Sequence, residues 1–137
     1  MNQRKIQALE FSCLMLLVMG LVGFCARATF AANQPDVPTV DAGIGSCRAD
    51  FTVKDSTAKP LYNAKIKTTI RYGFMNLRKA QLEAPTNTNG EARFTGLPNF
   101  SKKPLKFVIS SGTVSKTVTD DPTSDCNANF HLTMSVH

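Results

Sequence analysis

Apolar and polar residues alternate with a period of two along most of the chain after Ser46. Residues 64–72 show this pattern most clearly. Positions on one predicted face are apolar or small, namely Ala64, Ile66, Thr68, Ile70 and Tyr72. The opposite positions are polar, namely Lys65, Lys67, Thr69 and Arg71. Successive side chains of a strand point to opposite sides of a sheet, so the run predicts a strand that buries one face and exposes a basic one.

Shorter runs repeat the same rhythm between turn signals. The residues predicted to face inward are Phe51 and Val53, then Ala80, Leu82 and Ala84, then Ala92 and Phe94, then Leu105, Phe107 and Ile109, and finally Ala128, Phe130, Leu132 and Met134. Another strand is expected over residues 114–119, after a turn at Ser111 and Gly112. About seven short strands with turns every 8 to 12 residues predict an all-β fold, an antiparallel β-sandwich.

One of the turns carries a specific expectation. Pro85 lacks a backbone donor and should end a strand, and Thr86–Gly90 (TNTNG) follows it. Asn89 and Gly90 are suited to the positive φ angles of a tight turn. The motif therefore predicts a hairpin between the strand before it and the strand after it.

The first part of the chain has the three regions of a secretory signal peptide. Arg4 and Lys5 precede an uncharged apolar run over residues 11–25, and small residues follow. This pattern predicts a cleaved signal peptide over residues 1–31, with cleavage after Ala31 favoured over Ala28. An uncleaved membrane anchor is the alternative. The apolar run is shorter than the roughly 20 residues that span a bilayer, so no membrane span is expected in the mature chain.

Residues 32–45 contain two prolines and two glycines without an apolar period, which predicts a flexible linker. The folded domain is expected over residues 46–137. Of the four cysteines, Cys13 and Cys25 fall in the predicted leader, which leaves Cys47 and Cys126. An even pair in an exported protein predicts a disulfide that closes the domain. A metal pair or two free thiols are weaker alternatives, because neither cysteine has a nearby CxxC partner or histidine.

Two segments resemble the carboxypeptidase regulatory-like domains, which are prealbumin-type, Ig-like sandwiches of exported bacterial proteins. Residues 51–66 (FTVKDSTAKPLYNAKI) resemble that family's opening strand, turn, proline and second strand. Residues 86–98 (TNTNGEARFTGLP) resemble its hairpin and following strand. The resemblance implies a transthyretin-like sandwich in a structural module, or one that binds carbohydrate or protein. The chain departs from the family at Ala58 and Lys59, where a glycine is usual.

The chain has a net charge of +6, and residues 32–137 hold 13 basic and 9 acidic side chains, which leaves +4. Lys65, Lys67 and Arg71 share one predicted strand face and are the candidate contacts for an anionic partner. Other basic residues could extend this patch, namely Arg78, Lys79, Arg93, Lys102, Lys103 and Lys106. The alternative is a solvated outer face that protects the sheet edges from pairing.

Catalytic and metal-binding constellations receive little support. His131 is predicted on an outer face, opposite in direction to Met134, so these two and His137 are not expected to bind a metal together. Tyr62 and Tyr72 lack the spacing expected of an iron site with the histidines. Asp120, Asp121 and Asp125 are expected to shape a loop. No catalytic residue, metal or cofactor is therefore expected.

These patterns favour a non-enzymatic exported module, periplasmic or secreted, with a binding or structural role at the cell envelope. An envelope protein, an anionic glycan or a lipid are the expected partners, and nucleic acid is not. A transthyretin-like carrier of a small ligand is the alternative, and a hydrolase or metalloprotein is less favoured. The sequence leaves the oligomeric state open.

Overall fold

The computed structural model describes residues 36–136, which form eight strands. The strands are β1 (Thr39–Asp41), β2 (Cys47–Asp55), β3 (Lys65–Tyr72), β4 (Arg78–Pro85), β5 (Glu91–Leu97), β6 (Leu105–Ser111), β7 (Val114–Asp120) and β8 (Asn127–Met134). A single 3-10 turn, Phe74–Asn76, lies between β3 and β4. The signal peptide predicted over residues 1–31 lies outside the described residues, as do Cys13, Cys25 and His137.

The strands form two four-stranded sheets. Sheet 1 has the order β1-β5-β2-β8, and sheet 2 has the order β4-β3-β6-β7. Every pair in sheet 2 is antiparallel, whereas β1 with β5 and β2 with β8 pair in parallel. The predicted all-β sandwich is therefore confirmed, and its two parallel pairs are a feature that the alternation could not indicate.

Four phenylalanines fill the centre between the sheets. Phe51 and Phe94 come from sheet 1 and Phe107 from sheet 2, and all three are fully buried. The ring centroids of Phe51 and Phe107 are 5.0 Å apart, and those of Phe51 and Phe130 are also 5.0 Å apart. Aromatic packing of this kind contributes beyond the burial of area. The rings therefore join the two sheets into one core.

The predicted faces of β3 agree with its observed burial. Ala64 before the strand, and Ile66, Thr68 and Ile70 within it, are buried, while Lys65, Lys67, Thr69 and Arg71 are exposed. The inward residues predicted for β8 are also covered, because Ala128, Leu132 and Met134 are buried and Phe130 is half-buried. Period-two alternation fixed the orientation of these strands because one face of each sheet lies against the core.

The TNTNG turn differs from the predicted hairpin. Strands β4 and β5 belong to different sheets, so the turn crosses from one sheet to the other. Within it Gly90 has a φ of +74°, but Asn89 is not among the residues with positive φ. The side-chain oxygen of Asn87 accepts hydrogen bonds from the backbone N–H groups of Asn89 and Glu91. The turn chemistry was recognised, but local residues do not determine which strand pairs next.

The segment predicted as a flexible linker, residues 32–45, contains strand β1. Thr39, Val40 and Asp41 pair with Arg93, Phe94 and Thr95 of β5. The backbone N–H of Arg93 also donates to the carbonyl of Pro38, and that of Ala42 donates to Thr95. Residues 38–42 are therefore attached to the edge of sheet 1 by backbone hydrogen bonds.

Cys47 and Cys126 form the predicted disulfide, with a sequence separation of 79 residues. Cys47 begins β2, and Cys126 directly precedes β8. The two strands lie side by side, and the backbone N–H of Arg48 donates to the carbonyl of Cys126 at 2.8 Å. The bond thus links the first long strand of the sandwich to the last. Within residues 36–136, no helix has the length and apolar character needed to cross a bilayer.

Asp120 was expected to shape a loop, but it is a buried carboxylate at the end of β7. Only 5% of the residue is exposed. Burial, followed by the charges of Asp125 and Asp121, raises its pKa from 3.8 to about 6. A raised pKa means that the folded protein favours the protonated form of the carboxyl group. The folded state is therefore most stable with respect to this group below about pH 4, and it loses that stability as the pH rises through 6.

We therefore expect Asp120→Asn to stabilise the protein at pH 7.5. The gain should be about 1 kcal/mol after allowance for solvent screening, or about 5 °C in Tm. At pH 4 the native side chain is already neutral, so the variant should change Tm little. Thermal unfolding followed by circular dichroism at both pH values checks this. Equal shifts at the two pH values would contradict the assignment to Asp120.

Candidate functional site: a basic groove on sheet 2

The outer face of sheet 2 carries an open groove of about 860 Å³. Its floor is formed by outward side chains of β3 and β6, with Lys67 opposite Val108 in the strand register. Its wall is the loop segment 101–104 that leads into β6. The hydroxyl of Ser101 donates to the carbonyl of Lys103 at 2.6 Å, which holds this segment in a turn. We call this feature the basic groove.

Five basic side chains line the basic groove, namely Lys67, Arg71, Lys102, Lys103 and Lys106. No acidic residue of the described part of the chain is among the lining residues. Lys67 is paired with Glu83 of β4, with 3.1 Å between Nζ and Oε2. The other four make no salt bridge within residues 36–136. The groove therefore holds several cationic groups whose charge is not neutralised nearby.

Glu83 is the acidic residue at the border of the basic groove. Its carboxylate oxygens form ion pairs with Nζ of Lys65 at 3.8 Å and with Nζ of Lys67 at 3.1 Å. The hydrogen bond from Lys67, together with the charges of both lysines, holds the pKa of Glu83 below its usual value. Glu83 therefore stays ionised and compensates part of the charge on this side of the groove.

The structure groups some of the basic residues named from the sequence and separates others. Lys65, Lys67 and Arg71 all lie on the outer face of β3, as predicted. Lys102, Lys103 and Lys106 join Lys67 and Arg71 around the basic groove. Arg93 lies in sheet 1, where it forms an ion pair with Asp50. Arg93 therefore does not belong to the patch.

Exposed apolar residues lie at the same end of sheet 2, and the sequence analysis missed them. Phe74, Met75 and Leu77 follow β3, and Phe100 precedes β6. Strands β3 and β6 are antiparallel neighbours, so the end of one lies beside the start of the other. The signal in the sequence was the segment FMNL between Gly73 and Arg78, which has three large apolar residues in a position where a polar turn is usual.

The side chains considered for an iron site are dispersed. Tyr62 precedes β3 and Tyr72 ends it, so the length of the strand separates them by roughly 25 Å. His131 is exposed on β8 of sheet 1, and Met134 faces the core. Within residues 36–136, no three histidine, cysteine or carboxylate side chains form a cluster suited to a metal. The described residues bring none of these groups together in the groove.

The acidic residues of the β7–β8 loop shape the backbone. Asp121 accepts hydrogen bonds from the hydroxyl and the backbone N–H of Thr123, at 2.6 and 3.1 Å. Both bonds lower the pKa of Asp121, and the bond from the hydroxyl has the larger effect. Asp125 accepts from the backbone N–H of Asn127 at 3.0 Å. Both residues thus act as turn formers.

Comparison with known proteins gives similarity of structure without similarity of sequence. No family model matches the chain, and no curated protein sequence matches it. The catechol 1,2-dioxygenase of Pseudomonas arvilla C-1 is similar with a TM-score of 0.46 and 11% identity, over 72% of this chain and 58% of that one. The catechol 1,2-dioxygenase of Acinetobacter sp. ADP1, inhibited by bound mercury, has a TM-score of 0.47 and 13% identity. The match covers 73% of this chain and 59% of that one. A 9R-lipoxygenase from Cyanothece PCC8801 has a TM-score of 0.43 and 16% identity. The match covers 77% of this chain and 19% of that one.

These similarities correct the function expected from the sequence. The expectation of a non-enzymatic module at the cell envelope is not confirmed and stands corrected: the solved structures named above are enzymes. At 11–16% identity the likeness concerns the fold alone and transfers no activity. The chain also spans less than two thirds of each of these proteins. What is established is an all-β sandwich, closed by a disulfide, with a basic groove on one sheet.

Proposed function

We propose that the protein recognises an anionic ligand in the basic groove. The observation that carries the proposal is the set of five basic side chains around one open groove without an acidic lining residue. Four of them have no salt bridge within the described residues. Like charges held close together repel one another, and a bound anion relieves this repulsion.

The distribution of charge between the sheets supports this proposal. The outer face of sheet 1 is balanced in charge, because its acidic side chains equal its basic ones in number, namely Asp41, Asp50 and Glu91 against Arg48, Lys54 and Arg93. On sheet 2 the one compensating acid is Glu83, which is shared by Lys65 and Lys67. Four cations that are unpaired within residues 36–136 line the groove, namely Arg71, Lys102, Lys103 and Lys106, while Arg78 and Lys79 lie on β4 outside it.

We also propose that the protein is exported and acts in an oxidising compartment. The disulfide between Cys47 and Cys126 supports this proposal, because such bonds persist outside the reducing cytosol. The leader pattern of residues 1–31 is consistent with it. Amino-terminal sequencing of the secreted protein, with a start at Ala32 as the expected result, tests both points.

A relationship to the carboxypeptidase regulatory-like domains is likewise proposed and rests on the two resembling segments. They meet in the fold: the backbone N–H of Val53 donates to the carbonyl of Gly90 at 2.8 Å, and that of Asn63 donates to the carbonyl of Thr86 at 2.9 Å. The two segments therefore form one continuous structural unit at one end of the sandwich.

Charge reversal in the basic groove tests the proposed function. The double variant Arg71→Glu/Lys106→Glu should weaken binding to long-chain inorganic polyphosphate by about tenfold or more. The dependence of affinity on salt should also become shallower, because fewer counterions are released. Isothermal titration calorimetry at several salt concentrations measures both quantities. The same titration with Glu83→Gln should show tighter binding, because Lys65 and Lys67 are released from their acidic partner.

The matched control is Lys54→Glu/Lys116→Glu, which changes the net charge equally. Both lysines are exposed, and neither lines the groove. This control should lose much less affinity than the groove variant. Equal losses would show that net charge alone attracts the polyanion and would overturn the proposal, as would absence of binding by the unmodified protein.

A further inference from the structure

Four large apolar side chains project from the two loops beside the basic groove. Phe74, Met75, Leu77 and Phe100 are 84%, 72%, 80% and 73% exposed. We call these four residues the apolar tip. Both loops also line a second, smaller groove, to which Asn76 and Phe100 contribute. The two loops are therefore neighbours, and the four exposed side chains lie at the same end of sheet 2.

The local backbone presents this group to solvent. Gly73, Met75 and Asn76 have φ angles of +79°, +53° and +56°. The backbone N–H of Asn76 donates to Gly73 at 3.1 Å, and that of Leu77 donates to Phe74 at 3.3 Å. None of the four side chains belongs to the core. Exposed large apolar groups are unfavourable in water, so their grouping indicates a surface that becomes covered.

Basic residues flank the apolar tip on both loops. Arg71 and Arg78 enclose the β3–β4 turn, and Lys102 and Lys103 follow Phe100. Residues 72–82 and 97–119 contain no aspartate or glutamate. Exposed apolar side chains surrounded by these basic residues match the interface of an anionic bilayer, in which hydrocarbon lies beneath negatively charged headgroups. A soluble polyanion offers only the charge.

We propose that the protein docks on anionic lipid bilayers, with the apolar tip entering the interfacial region. Arg71, Lys102 and Lys103 then contact headgroups from the adjoining basic groove. This inference rests on the proposed function, because it assigns the anionic ligand of the groove to a lipid surface. The two loops approach the bilayer with that end of sheet 2 facing the membrane.

A single tryptophan at the tip provides a direct probe, because the chain contains none. In the full chain, Phe74→Trp should show a blue-shifted emission on addition of phosphatidylcholine vesicles that contain phosphatidylglycerol. Brominated lipid should quench this emission. The matched reporter Tyr62→Trp occupies an exposed site before β3, at the end opposite the tip. It should show neither effect, and vesicles of phosphatidylcholine alone should change neither reporter.

Removal of the apolar tip adds an independent measurement. In the Phe74→Trp background, Leu77→Ser/Phe100→Ser should lower the affinity for anionic vesicles by about tenfold. The same change should leave polyphosphate binding unaltered. The replaced side chains are exposed, so these variants should unfold at the temperature of the reporter protein. An unchanged vesicle affinity would overturn the role of the tip.

The outcomes separate the two proposals. Salt-sensitive binding of polyphosphate without a vesicle-induced shift at position 74 would overturn membrane docking and leave the anion-binding groove in place. Failure to bind both polyphosphate and vesicles would overturn both. A blue shift of equal size with vesicles of phosphatidylcholine alone would contradict the role of the basic residues beside the apolar tip. A blue shift of the tryptophan emission with lipid-free protein extract, but not with vesicles, would assign the apolar tip to a protein partner and overturn the proposal.

Discussion

The double variant Cys47→Ala/Cys126→Ala is expected to lose about 4 kcal/mol of unfolding free energy. The disulfide joins residues 79 positions apart, and closure of so long a loop removes many conformations from the unfolded chain. In the native state β2 and β8 already pair along their length, from Arg48 with Asn127 to Asp55 with Met134. The bond should therefore act mainly by restricting the unfolded state.

Urea unfolding measures this loss and tests the mechanism. Without the cross-link the unfolded chain can expand further, so the m-value should increase while the midpoint falls. A loss of this size is a large share of the stability of a small domain. The unmodified protein in reducing agent should behave like the double variant. A loss below about 1 kcal/mol in both experiments would contradict the assigned role of the disulfide.

The orientation of single strands was predictable, whereas their pairing was not. In β3 the alternation from Ile66 to Ile70 identified both faces, because the inward residues pack against the core and the outward ones meet water. Pairing depends on contacts between distant segments. Strand β5 lies between β1 and β2, and nothing local in TNTNG indicates that the chain crosses to the other sheet there.

Strand β1 escaped prediction for a related reason. It has three residues, of which only Val40 is shielded from solvent, so no alternation is visible in the sequence. Backbone pairing with β5 holds it in place. Backbone hydrogen bonds do not depend on side-chain identity, and a segment that contains proline and glycine can still form them where its N–H groups remain free to donate.

The basic groove could be predicted in part. Lys67 and Arg71 followed from the alternation of β3, since residues two apart along a strand share a face. Lys102, Lys103 and Lys106 reach the groove because β6 is antiparallel to β3, which places the preceding loop beside the end of β3. Arg93 was included because its charge suited the patch, but its strand lies in the other sheet. Charge alone therefore does not identify a shared surface.

Replacement of Gly90 by alanine is expected to cost about 3 kcal/mol or more of unfolding free energy. The residue has a φ of +74°, which strains any residue with a side chain. A Cβ at this position would also lie 2.2 Å from the carbonyl oxygen of Val53 and 3.2 Å from the backbone nitrogen of Leu61. The overlap is with backbone atoms that are themselves hydrogen-bonded, so it cannot be relieved by rotating a side chain.

Gly112→Ala separates the two causes. Gly112 has a φ of +58°, but a Cβ there would meet no atom within 4 Å. This variant should lose only the conformational contribution, about 1 kcal/mol. The remaining difference between the variants, measured by urea unfolding of both, reports the close approach of Gly90 to Val53. Equal losses would show that strain in φ is sufficient and that β2 can yield to the added methyl group. A larger loss at Gly90 would show that this glycine allows the two segments, residues 51–66 and 86–98, to pack against each other.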